Sequence, residues 1–128
     1  MKLLIDTHVV IWWVTAPDRL SRTVDDLLQA GSVDIFVSPV TAFEIARKHG
    51  IGKLTFDVHF LGQFDARIAQ LGWTELVLTN AHAVAAGQLT GSHKDPFDRL
   101  ISAQAIAEGM TVATADPAIA ALGAKVVW

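Results

Sequence analysis

Short apolar runs that stop abruptly at an acidic residue constrain this chain more than any other feature. Leu3-Leu4-Ile5 is followed at once by Asp6, and the run from Met110 to Thr114 is followed closely by Asp116. A continuous apolar run reads as a strand buried on both faces, the habit of parallel sheets. An acid placed directly after such a strand stands at its carboxyl end, where open α/β sheets bind their ligands. Glu44 in TAFEIARK, and Asp95 and Asp98 in DPFDRLISAQA, are further acids at the edges of apolar segments. Carboxylates gathered without basic partners repel one another, so a fold that collects them normally supplies a cation. The pattern points to a divalent-metal site.

Strand-like runs fall at residues 2 to 5, 34 to 37, 74 to 78, 110 to 114 and 125 to 128. Helical stretches fill the intervals, at 8 to 15, 21 to 30, 40 to 50, 58 to 71, 80 to 89, 96 to 108 and 117 to 122. That alternation predicts an α/β fold, a parallel sheet with helices on its faces. Ser21 reads as an N-cap, and Gly31, Gly72, Gly109 and Gly123 as helix stops. The first helix, His8 to Val14, is apolar all round and so must be buried on more than one side, as a central core helix or with Trp12 or Trp13 turned toward a second chain.

The 128 residues, 52% of them apolar, suffice for one domain with a real core, and a single domain over 1–128 is expected. No apolar run approaches the length of a membrane span. The start, Met-Lys-Leu-Leu-Ile-Asp, meets an acid too early for a signal peptide, and a cytoplasmic protein without membrane contact is expected. Cysteine is absent, which excludes disulfides, thiolate metal sites and thiol nucleophiles. A net charge of −3 argues against a protein that coats nucleic acid by bulk electrostatics, yet permits an enzyme whose metals meet phosphate.

Each acid also has a structural explanation. Asp95-Pro96-Phe97-Asp98 reads as an N-cap, a proline at the first helical position and an acid near the positive helix end, and Asp116-Pro117 repeats the signature. Asp6 can cap the first helix, and Glu44 can pair with Lys48 four residues on. The combination favours a shared site. Asp6 and Asp116 end two strands, and Asp98 and Glu44 lie early in helices that follow segments leading to the same edge. Phe43, Ile45 and Ala46 set Glu44 in apolar surroundings, where an acid needs a partner or a proton.

The chain resembles the PIN-domain ribonucleases, and among them the VapC-type toxins of toxin-antitoxin pairs. The resemblance rests on LLIDTHVVIWW, VSPVTAFEIARKHGIGKL, HKDPFDRLISAQAIAEGMTVATAD and the ending KVVW, in that order and across essentially the whole chain. The third block is the most specific. The resemblance implies a three-layer α/β/α sandwich around a parallel sheet of about five strands, with an acidic pocket that holds Mg2+ or Mn2+. The family's acidic quartet falls on Asp6, Glu44, Asp98 and Asp116, with Asp95 as a cap or a supporting residue behind them. Phe43 stands where many relatives carry Trp. The resemblance also implies a homodimer, and a cognate antitoxin whose extended segment lies over an apolar groove near the first helices. Contact with DNA would come only through that antitoxin.

The expected chemistry is hydrolysis of RNA phosphodiesters. Asp6, Asp98 and Asp116 suit a hard cation, and Glu44 suits a second metal or the role of base. His93 is a candidate general acid, although a loop histidine is more often a surface residue. Arg47, Lys48, His49, Lys53, His93, Lys94 and Arg99 are candidate phosphate contacts, with ordinary surface charge the simpler account of Lys53. The alternatives are a PIN-fold housekeeping nuclease and a non-catalytic RNA-binding or protein-binding module. A receiver-type phosphoacceptor domain is disfavoured, because Thr74 to Asn80 offers no aspartate after the third strand.

Overall fold

A computed structural model describes residues 1–128. Its strands are β1 (Lys2–Ile5), β2 (Asp34–Val37), β3 (Thr74–Glu75), β4 (Thr111–Ala113) and β5 (Lys125–Val127). Its helices are α1 (Thr7–Thr15), α2 (Arg22–Gln29), α3 (Pro39–Gly50), α4 (Val58–Gly62), α5 (Phe64–Gln70), α6 (Asn80–Gln88), α7 (Pro96–Glu108) and α8 (Pro117–Ala121). A 3-10 turn at Pro17–Arg19 joins α1 to α2. The strands form one five-stranded sheet in the order β3-β2-β1-β4-β5, and every pairing is parallel. No helix is long and apolar enough to cross a membrane.

The pleat of β1 divides the core. Successive side chains point to opposite faces, so Leu3 and Ile5 serve one layer and Leu4 the other. Leu3 and Ile5 pack with Val9, Val10, Ile45, Phe60, Ile68 and Trp73, while Leu4 packs with Val40, Ile101, Val112 and Ile119. Helices therefore cover both faces, the expected three-layer sandwich. As predicted for its apolar surface, α1 is embedded through Val9, Val10 and Ile11. Trp13 meets Trp73 edge-on at 5.7 Å, and Trp12 meets Trp128 at 5.7 Å.

Register places the site. Ile5 pairs with Val37 on one side and Ala113 on the other, so Asp6, Ser38 and Thr114 follow together at the carboxyl edge. Each begins the turn into a helix or lies just before one. Ser21 caps α2 through Val24 N–H at 3.1 Å, as its sequence position suggested. Gly109 ends α7 with φ +65°, a left-handed backbone that glycine adopts without a Cβ penalty.

Two expected elements differ. The helix expected over 58 to 71 is broken at Gln63, whose φ of −134° and ψ of 40° lie outside the helical region. Gly62 before it is a weak helix former, costing about 1 kcal/mol relative to alanine, and no side chain caps the new start. The strand expected over 74 to 78 stops at Glu75. Leu76 still donates its N–H to Val37 O at 2.8 Å, but its carbonyl accepts from Gln104 Nε2 at 3.2 Å and the chain leaves the sheet.

Candidate active site

Threonine hydroxyls organise the acids at the carboxyl edge. Asp6 is 5% exposed, and its two carboxylate oxygens have different partners. Oδ1 accepts the Thr7 N–H at 2.7 Å and so caps α1, while Oδ2 accepts the Thr114 hydroxyl at 2.8 Å. Thr114 Oγ1 in turn accepts the Asp116 N–H at 3.0 Å, which ties the end of β4 to the end of β1. Asp116 Oδ1 caps α8 through Ala118 N–H at 2.9 Å.

Glu44 reaches the same edge from α3. Thr7 donates its hydroxyl to Glu44 Oε1 at 2.8 Å. A hydroxyl has one proton, so in the 3.1 Å contact between Thr7 and Thr41 the donor is Thr41. Lys48 Nζ lies 3.8 Å from Glu44 Oε2, so the anticipated i,i+4 pair forms on a carboxyl that also belongs to the cluster. Asp98 enters from the first turn of α7, and its Oδ2 lies 2.7 Å from His93 Nε2. With Asp98 ionised, that nitrogen is the donor.

The electrostatics tie these positions together. Burial pushes the Asp6 carboxyl above its ordinary range, opposed by its bonds to Thr114 and Thr7 and reinforced by Asp116. Burial also raises Glu44, opposed by Thr7 and Lys48 and reinforced by Asp6 and Asp95. Asp98 is raised by burial as well, opposed by His93 and reinforced by Asp95, Asp116 and Asp6. For Glu44 the long contact to a half-exposed lysine does not outweigh desolvation. Asp6, Glu44, Asp98 and Asp116 thus share one region, with Asp95 at its rim.

Asp95 itself is exposed and caps α7, its Oδ1 accepting from Phe97 N–H at 2.9 Å and, more weakly, Asp98 N–H at 3.4 Å. One ligand atom each from His93, Asp95 and Asp98 lie within 4.8 Å of one another. Carboxylate oxygens gathered at this edge, with burial pushing Asp6, Glu44 and Asp98 toward protonation, have the chemistry to hold a hard divalent cation. The residues present fit such a group.

Of the basic residues anticipated as phosphate contacts, Arg99 is otherwise engaged. It donates to the carbonyls of Ala86, His93 and Leu89 at 3.0, 3.1 and 2.5 Å, and so staples the segment between α6 and α7. His49 Nδ1 lies 3.3 Å from Leu54 O. Thr7, Thr41 and Thr114 were missed in the sequence, as was His8, which lines a cavity of about 270 Å3 with Asp6, Trp12, Ala115 and Asp116. For Thr7, His8 and Thr114 the signal was closeness to an acid at a strand end, and Thr41 carried no such signal. An apolar groove of about 200 Å3 lies between α3 and α7, lined by Pro39, Val40, Phe43, Leu78, Phe97 and Leu100. The cavity beside α1, by contrast, is partly basic.

The sequence model of the PIN domain family matches residues 3–125. Ribonuclease VapC22 of Mycobacterium tuberculosis (strain ATCC 25618 / H37Rv) is 30% identical over 117 residues, covering 89% of this chain and 86% of that protein. Among solved structures, VapBC2 from Rickettsia felis bound to a promoter DNA fragment superposes with a TM-score of 0.72 at 18% identity, covering 99% of this chain and 98% of that one. DNA-bound VapBC from Salmonella typhimurium gives 0.73 at 18% identity, over 99% and 97% of the two chains. A match over nearly the full length, on a parallel sheet whose carboxyl edge gathers acids, establishes that this chain belongs to the PIN-domain family.

Proposed function

We propose that the chain is a metal-dependent endoribonuclease, a single PIN-like domain over residues 1–128, that acts as the toxin of a toxin-antitoxin pair. The observation that carries this reading is the shared acidic edge, where Asp6, Glu44 and Asp98 are raised by burial and by neighbouring acids. The ribonuclease at 30% identity supports the activity, and the VapBC complexes that share the fold support an antitoxin partner.

In this reading Asp6, Asp98 and Asp116 hold Mg2+, for which Mn2+ can substitute, and Glu44 either joins them or acts as base. When bound, such a cation supplies positive charge for the phosphate oxygens and acidifies water. The chain's own groups do the rest. Thr114 and Thr7 fix the carboxylates of Asp6 and Glu44, so that little reorganisation is needed as charge develops. In the role of base, Glu44, with Oε1 held by Thr7 and Oε2 3.8 Å from Lys48 Nζ, orients the attacking water and takes its proton. The oxygen of that water bonds to phosphorus, the bond to the leaving sugar oxygen breaks, and a proton from solvent completes the alcohol. His93 orients Asp98.

A second copy of the chain is the occupant we propose for the apolar groove between α3 and α7, where Phe43 is 55% exposed although it packs on Phe97 at 5.5 Å. Size measurement of the pure protein tests the homodimer, and a monomer at high concentration removes it. Incubation with single-stranded RNA tests the activity. Cleavage is expected with Mg2+ or Mn2+, and none with chelator or in folded Asp98→Asn protein. Cleavage that survives either treatment removes the metal-site reading.

A further inference from the structure

The cavity beside α1 is lined by His8, Ile11, Trp12, Thr15, Arg19, Lys48, Lys53 and Leu54, with a volume of about 340 Å3. No acid lines it, on a chain whose net charge is −3. It shares His8 and Trp12 with the smaller cavity that holds Asp6 and Asp116, so the two form one groove leading away from the acids. Lys48 links the basic part to the acids by a second route, because it lines that part and its Nζ lies 3.8 Å from Glu44 Oε2. Arg19 lies over the Trp12 indole, with its guanidinium carbon 4.9 Å from the ring centroid. Three basic side chains beside an aromatic wall combine the two elements that bind single-stranded nucleic acid, phosphate contact and stacking.

We propose that this groove seats the single-stranded RNA flanking the scissile phosphate, with Arg19, Lys48 and Lys53 on its backbone and Trp12 with Arg19 as the platform for a base. The proposal deepens the nuclease reading and rests on it for the identity of the polymer. It gives Arg19 a role that its sequence context did not suggest, and it prefers for Lys53 the phosphate contact over ordinary surface charge. Lys48 serves both the groove and Glu44, so the test leaves it in place.

Binding of a fluorescent single-stranded oligoribonucleotide is measured by anisotropy in an Asp98→Asn background with millimolar Mg2+, across a salt series. Arg19→Gln with Lys53→Gln removes two phosphate contacts. Each accounts for about 0.7 of the slope of log affinity on log salt, so the slope falls by about 1.4 and affinity by about 25-fold at ~0.1 M salt. The charge-matched control is Lys2→Gln with Lys125→Gln. Lys2 and Lys125 begin β1 and β5, at the opposite end of the sheet from the acids, and this pair should stay close to the parent. Thermal melts confirm that each variant folds. Equal losses in the two pairs, or none in the first, overturn the proposal. Retained RNA binding with lost binding of poly-glutamate also overturns it and reassigns the groove to an acidic protein segment. Wild-type protein that binds through the groove but cuts no RNA removes the nuclease reading alone.

Discussion

Replacing Asp6 with asparagine removes one charge from the most buried acid of the site and keeps its shape. Asn Oδ1 can still accept the Thr7 N–H, which lies 2.7 Å from Asp6 Oδ1. Its Nδ2 then faces Thr114 Oγ1, which already accepts the Asp116 N–H at 3.0 Å and has a second lone pair. Thr114 loses an acceptor for its proton, at a cost of about 0.5 to 1.5 kcal/mol. Burial, the largest cause of the raised Asp6 carboxyl, acts in the other direction. Each unit by which a folded pKa exceeds the unfolded one destabilises the ionised native state by about 1.4 kcal/mol. Because the folded value is raised, this penalty is absent below the unfolded value near ~3.9, grows as pH rises through the folded value, and is complete beyond it. In chelator at neutral pH, Asp6→Asn should therefore melt higher than wild type. The conversion is roughly 3 to 5 °C per kcal/mol for a chain of this size. Below the unfolded value the advantage disappears, because wild-type Asp6 is then protonated in both states. Mg2+ at ten times its Kd should stabilise wild type by about 1.4 kcal/mol and the variant little. Thermal melts across pH, with chelator and with Mg2+, measure all of this. A variant that melts below wild type at neutral pH, or whose difference does not change with pH, refutes the reasoning.

Three further substitutions probe the supports of the site. Asp95→Ala removes an exposed cap and should lower stability by about 0.5 to 2 kcal/mol in denaturant titrations, without the pH-dependent gain of Asp6→Asn. Thr7→Val keeps the volume but strands Glu44 Oε1 and the Thr41 hydroxyl, which should cost about 1 to 3 kcal/mol by the same measurement. Arg99→Gln cannot span the carbonyls of Ala86, Leu89 and His93, so limited proteolysis between residues 89 and 95 should become faster. An unchanged digest would show that the segment is held by other contacts.

The parallel sheet was legible in the sequence chiefly through β1 and β4, whose apolar residues are buried on both faces, and Asp6 and Asp116 were legible because they follow those strands. The Asp95 and Ser21 caps were equally readable, since capping is local. What escaped depends on tertiary contact. The Gln104 side chain that takes the Leu76 carbonyl lies 28 positions away and shortens β3. Thr114 lies 108 positions from the carboxylate it supports. Glu44 was identified on reasoning that the structure revises. Of the residues thought to give it apolar surroundings, Ile45 is buried, whereas Phe43 and Ala46 are exposed. Its polar partner at the end of β1 is Thr7, which donates to Glu44 Oε1 and is itself supported by Thr41.

Treating each acid as either a helix cap or a ligand posed a false alternative. In a parallel sheet whose strands turn directly into helices, the N-cap positions themselves ring the carboxyl edge. A carboxylate has two oxygens, and capping engages one. Asp6 caps with Oδ1 and turns Oδ2 to Thr114, and Asp116 caps with Oδ1. Local capping thus fixes each side chain's orientation, while the fold supplies the neighbours that crowd its charge. The two contributions separate by substitution: Asp6→Asn removes the crowding and keeps the cap, whereas Asp6→Ala removes both. In chelator at neutral pH the asparagine variant should be the more stable of the two by about 0.5 to 2 kcal/mol, the worth of the cap. If the two melt together, Oδ1 contributes nothing to α1, and the threonine contact alone sets the orientation of Asp6.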